Sequence, residues 1–131
     1  MSVLIDTSAL YALLDEDDAN HIIAAQRWKR LLALEVPTTH SYVVVETSAL
    51  AQRRLGMAAV DSLHQGLLPV VRTTMVDRST HERAVERWRA RRVRSLSLVD
   101  VTSFVVMQSL GLTTAFAFDE DFARAGFSLW A

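Results

Sequence analysis

The sequence has no cysteine, two prolines and four glycines in 131 residues. Without cysteine there is no disulfide and no thiolate metal ligand, and the expected compartment is cytoplasmic. No apolar run approaches the roughly 18 residues of a transmembrane helix. No basic segment precedes the first apolar stretch, which Asp6 interrupts, so neither a membrane span nor a signal peptide is expected. There is no Gly-rich phosphate loop and no Gly-x-Ser-x-Gly elbow. Gly56, Gly66, Gly111 and Gly126 read as punctuation between elements. The four histidines, at 21, 40, 64 and 81, show no ligand spacing. An excess of charge of either sign is also missing. Lys and Arg number 14 against 15 Asp and Glu, so overall charge does not argue for a polyanionic partner.

Half the residues are apolar, enough for a core in a chain the size of one domain, and residues 1–131 are read as a single unit. Its pivotal stretch is Val3-Leu4-Ile5-Asp6-Thr7-Ser8. The apolar triplet reads as a strand buried on both faces. Asp, Thr and Ser are helix-capping types, so Asp6 is expected where a central strand stops and a helix begins. In open α/β sheets ligands bind at that carboxyl end.

The remaining chain alternates strands and helices. A helix is expected over 8–14, then an acidic loop, Asp15 to Asp18, that caps an amphipathic helix from Ala19 to Leu34. Glu35 to Thr38 reads as a short strand whose pairing Pro37 limits. Val43-Val44-Val45 favours a strand locally, but the pattern continues for four turns, so a helix is expected from Thr39 or His40 to Arg54. A helix over 58–65 stopped by Gly66, a buried strand over 68–73, and a helix from the capping box Ser79–Glu82 to Arg91 follow. Ser97-Leu98-Val99-Asp100 is a second capping box, opening a helix to Leu110. Thr114 to Phe118 reads as a strand, followed by a short helix to Arg124 and a last strand over 127–130. Such alternation argues a parallel sheet with helices on both faces, a three-layer α/β/α sandwich. Asp6-Thr-Ser-Ala-Leu recurs as Glu46-Thr-Ser-Ala-Leu, a match too short to imply a structural repeat.

Four acids stand out: Asp6, Glu46, Asp100 and Asp119. Each also has a purely structural reading, as a cap for Asp6, Asp100 and Asp119, and as a solvent-facing or Arg53-paired group for Glu46. Glu46 is the hardest to explain structurally. Its helical neighbours Tyr42, Val43, Ala49 and Leu50 are apolar, where an unpaired carboxylate costs on the order of several kcal/mol. In a parallel sheet, Asp6, Asp119 and the first turn of the Asp100 helix gather at one edge. Converging carboxylates call for a hard cation such as Mg²⁺ or Mn²⁺, which can activate water against a phosphodiester.

These residues, together with Phe118-Asp119-Glu120-Asp121-Phe122 and Gly126-Phe127, resemble the PIN-domain ribonucleases, and more narrowly the VapC-like toxins of toxin–antitoxin pairs. The resemblance covers the whole chain. It implies an α/β/α sandwich, a Mg²⁺- or Mn²⁺-dependent endoribonuclease, a homodimer, and inhibition by a small antitoxin. By position, Asp6, Glu46, Asp100 and Asp119 match the family's acidic quartet, Asp121 a further acid, and Ser8 a small polar residue beside the first. The chain departs at Ala117, where many relatives carry Thr or Ser.

RNA would need positive charge around this acidic centre. Arg53 and Arg54, and the arginine-rich segment 83–94 with Arg87 and Arg91, are the candidates. The same segment also suits a solvated helix face or an acidic antitoxin. Trp28, Trp88 and Trp130 are either base-stacking or core residues. The competing functions are a PIN-type nuclease without an antitoxin, and a degenerate domain that binds RNA or protein without cutting. An aspartyl phosphatase fits less well, because Ser8 stands where a second Asp is usual.

Overall fold

A computed structural model describes all residues, 1–131. Its centre is a five-stranded, wholly parallel sheet in the order β3-β2-β1-β4-β5. The strands are β1 (Ser2–Ile5), β2 (Val36–His40), β3 (Arg72–Thr74), β4 (Thr114–Phe116) and β5 (Ser128–Leu129). The helices are α1 (Thr7–Leu14), α2 (His21–Leu34), α3 (Ser41–Leu55), α4 (Met57–Asp61), α5 (Arg78–Arg91), α6 (Leu98–Leu110) and α7 (Asp121–Arg124). No helix is long and apolar enough to cross a membrane.

The period-two geometry of a strand divides the core in two. Val3 and Ile5 of β1 and Phe116 of β4 point to one face, where they meet Leu10 of α1, Leu31 of α2 and Val43 of α3. Leu4 and Ala115 point to the other face, against Phe104 and Met107 of α6, Ala84 of α5 and Phe122 of α7. The expected three-layer α/β/α arrangement is the observed one. Phe104 makes an edge-to-face contact with Phe122 at 5.1 Å and lies 5.8 Å from Phe127. It thereby ties α6 to the segment carrying Asp119 and Asp121. Phe104→Ala is expected to cost about 3–5 kcal/mol in urea unfolding.

Several local expectations are corrected. The acidic loop does not cap α2, which starts at His21 on Asn20; Asp18 instead accepts the Asn20 N–H at 2.8 Å within the turn. The helix expected over 58–65 starts at Met57 and runs on as a π-helical turn to Leu67. Gly66 does not end it, because its backbone lacks the positive φ of Gly56 and Gly111. The strand expected over 68–73 is a 3₁₀ turn, Leu68–Val70, and then β3. Pro69 fits the opening of a helical turn and cannot donate to a sheet. β3 is an exposed edge strand, not a buried one. The cap of α5 is Asp77, which accepts the Thr80 N–H at 2.8 Å, so Ser79 lies inside the helix. Strands β4 and β5 are each shorter than expected, at 114–116 and 128–129. The helix reading of Val43–Val45 holds, and β2 pairs with β3 only from Thr38, beyond Pro37.

Candidate active site

The chain winds outward from β1 through β2 to β3, then returns to place β4 on the other side of β1. The winding reverses between β1 and β4, which is where a crevice opens beyond the strand ends. Asp6 directly follows β1, and its amide donates to Phe116 O of β4 at 3.0 Å. Asp119 follows β4 after Ala117 and Phe118.

Asp6 is only 3 % exposed. It caps α1, with Oδ2 accepting the Ser8 N–H at 3.2 Å and the Ser8 hydroxyl at 2.6 Å. The same hydroxyl accepts the Phe118 N–H at 3.0 Å, so Ser8 bridges the first acid to the segment leading to Asp119. Burial pushes the Asp6 carboxyl up to about 7; the Ser8 bonds oppose this and the charge of Asp100 adds to it. Removing this bridge in Ser8→Ala is expected to cost about 1–3 kcal/mol in urea unfolding, because it leaves the Phe118 N–H without its partner.

Asp100 lies in the first turn of α6 within the predicted capping box. Its Oδ2 accepts the Ser97 N–H at 3.1 Å, and Ser97 Oγ accepts the Asp100 N–H at 3.1 Å. Burial raises its pKa against those bonds, and the charges of Asp119 and Glu46 raise it further. Asp119 Oδ1 accepts the Asp121 N–H at 2.8 Å. Asp121 is also raised, first by burial and then by Asp119, while Arg124, paired with it at 3.2 Å, lowers it. One carboxylate oxygen each from Asp100, Asp119 and Asp121 lies within 4.8 Å of the others.

Glu46 is half-buried on α3, beside the buried stripe Val43, Thr47 and Ala51. Arg53 does not pair with it. The two ion pairs of the chain are the Met1 amine with Glu35 and Arg124 with Asp121. Asp100, Asp119 and Asp121 thus converge, with Arg124 as their one ion-paired base; Asp6 and Glu46 lie outside that group but near enough for their charges to act on Asp100. An all-oxygen donor set of this kind fits a hard divalent cation.

A family model described as the PIN domain matches residues 3–128. The chain belongs to the PIN-domain family. This PIN domain is 42 % identical over 129 residues to the 23S rRNA-specific endonuclease VapC20 of Mycobacterium tuberculosis, covering 95 % of each chain. It superimposes on the crystal structure of that VapC20, described as a sarcin–ricin loop cleaving toxin, with a TM-score of 0.82, 40 % identity and 95 % coverage of each chain. FitAcB from Neisseria gonorrhoeae shares the fold at a TM-score of 0.69 and 18 % identity, over 100 % of this chain and 97 % of that one.

In this PIN domain the capping readings of Asp6 and Asp100 hold alongside their convergence. The caps engage Oδ2 of each carboxylate, so capping and cation binding are compatible. The basic candidates lie more scattered. Arg54 sits over the Tyr11 ring at 5.5 Å, and Arg53 is exposed without a partner. Arg87 donates to Gln108 of α6 at 2.9 Å, and Arg91 is exposed in the last turn of α5. Trp28 packs on the core and Trp130 donates to Arg27 O at 3.0 Å, which leaves Trp88 as the exposed indole. Ala117 is buried against the α6 face.

Two connections were readable and missed. Arg124 stands three residues after Asp121, at helical pairing distance. The pentapeptide echo is no structural repeat, since Asp6 caps a helix and Glu46 sits within one. Yet Thr47 Oγ1 donates to Thr7 Oγ1 at 3.2 Å, and both threonines are buried. The residues that follow the two acids meet and hold α1 against α3.

Proposed function

We propose that the chain is a divalent-metal-dependent endoribonuclease acting as the toxin of a toxin–antitoxin pair. The observation that carries this reading is the convergence of Asp100, Asp119 and Asp121 within 4.8 Å at the β1/β4 switch point. The identity to an rRNA-cleaving relative supports the substrate class. Asp100, Asp119 and Asp121 hold the ion, with Asp6 and Glu46 completing its surroundings. Mg²⁺ or Mn²⁺, when bound, supplies a Lewis acid that lowers the pKa of water and offsets charge developing on the phosphate.

The chain's own groups do the rest. Ser8 fixes the Asp6 carboxylate, and Ser97 fixes that of Asp100. Burial pushes the Asp6 carboxyl up in the metal-free protein, and a nearby cation would favour its ionised form, which ties its charge to metal binding. Arg53 and Arg54, two turns beyond Glu46 on α3, with Arg87 and Arg91 on α5, supply positive charge for the RNA backbone. A small antitoxin and a second copy of the chain are the protein partners of this reading. Exposed Ile22, Val45 and Met57 offer apolar surface to them. The residues matched by the family model span nearly the whole chain, which supports one nuclease unit over 1–131.

The test is incubation of a 23S rRNA fragment with the purified chain in Mg²⁺, in Mn²⁺ and in chelator. Cleavage in either metal and none in chelator is expected. Equal cleavage in all three would remove the metal from the reading.

A further inference from the structure

Ser97, which bonds Asp100, also lines a cavity of about 390 Å³, together with Trp88, Arg89, Arg92, Arg94 and Leu98 among others. Its volume falls at the small end of the roughly 300–1,000 Å³ usual for ligand pockets, the size of one nucleotide unit rather than a duplex. None of its three arginines has an ion-pair or hydrogen-bond partner; the arginines that do are Arg83, Arg87 and Arg124. All three are exposed, which leaves their guanidinium groups available to an anion. The Trp88 indole is held by its edge, Nε1 donating to Leu96 O at 3.0 Å, and the residue keeps 36 % of its surface exposed. A fixed, accessible indole is a stacking platform for a base.

The backbone carries an independent sign. α5 ends on Arg92 at φ 55, the one non-glycine residue of the chain with positive φ. Helices α3 and α6 end on Gly56 and Gly111 at positive φ. Only glycine takes that conformation without a steric penalty. An arginine is tolerated there at a cost, and such strain tends to sit at functional sites.

We propose that Trp88, Arg89, Arg92 and Arg94 form an RNA subsite that seats one unpaired nucleotide flanking the scissile bond, its phosphate on the arginines and its base on the indole. The inference rests on the nuclease reading above for its choice of ligand. Ser97 links it to the chemistry, because the residue lining the pocket also holds the Asp100 carboxylate.

The decisive variant is Arg92→Gly, which removes the side chain and suits the backbone. Binding of a fluorescein-labelled RNA hairpin is followed by anisotropy in chelator, across a salt series. Arg92→Gly is expected to weaken binding about tenfold and to reduce the slope of log Kd against log salt by about one. Its melting temperature is expected to stay level or rise. The double variant Arg89→Gln/Arg94→Gln is expected to weaken binding further. Lys29→Gln, exposed on α2 in the opposite layer, is expected to leave it unchanged. Wild-type affinity and salt slope in both pocket variants would overturn the subsite and assign the pocket to a protein partner or to solvent. Because binding is read without metal, it is separable from catalysis. A chain that bound RNA through these arginines but never cut it would sink the nuclease reading and keep the subsite.

Discussion

Asp6→Asn is expected to abolish metal-dependent RNA cleavage, by at least about 10³-fold, while leaving the fold intact and more stable without metal. The two effects share one cause. Asp6 is almost wholly buried, beside Asp100 and hydrogen-bonded to Ser8. Its negative charge is costly in the empty site and useful once a cation is present. Asn keeps an acceptor for the Ser8 hydroxyl and removes the charge. Initial rates on RNA in Mn²⁺ and melting temperatures in chelator, read on the same preparation, check both halves. A variant that cut RNA at the wild-type rate would place the chemistry elsewhere. One that lost activity by unfolding would deny the claim that the acid serves the site rather than the fold.

In the absence of divalent metal, the wild-type chain is expected to lose stability as pH rises from about 4 to about 7. The folded Asp6 carboxyl titrates near 7, whereas its ordinary value is 3.8. Between those values the folded protein holds a proton that the unfolded chain has released, so raising the pH favours unfolding. At about 1.4 kcal/mol for each pH unit of that window, the loss from Asp6 alone reaches on the order of 4 kcal/mol. Asp100 and Asp121 are raised as well and push in the same direction. Mg²⁺ or Mn²⁺ should reverse the trend. An ion at 100 times its Kd adds about 2.7 kcal/mol, and its affinity rises as the carboxylates ionise. Melting temperatures with chelator and with Mn²⁺ at pH 5 and 7.5 provide the check. A chelated protein whose stability is flat across that range would contradict the buried, charge-crowded picture of Asp6. The control is Asp6→Asn, which should flatten most of the slope.

The alternation of strands and helices was readable because each element carries its own periodicity. Val3 to Ile5, the α6 capping box and the Gly111 stop act over a few residues and were placed correctly. Errors fell where neighbouring signals compete. Asp77 and Ser79 are both good caps, and only the folded chain shows Asp77 bonded to Thr80. Leu68 to Thr73 has the composition of a buried strand, but Pro69 cannot donate in a ladder, and the chain makes a turn there before its edge strand.

Local chemistry along the sequence determined which acids terminate strands or open helices, because caps and strand ends depend on nearest neighbours. It also marked Glu46 as misplaced for a structural role, since its helical neighbours are apolar. Tertiary structure alone decided that Asp100, Asp119 and Asp121 meet and that Asp6 joins them. The arrival of Asp6 depends on a sheet order that puts β4 beside β1, a pairing between residues more than 100 positions apart. The partners of the arginines were likewise decided there. Arg87 turns to α6 while Arg89, Arg92 and Arg94 surround an open cavity, because neighbouring helical positions point in different directions and only packing says which direction faces a site.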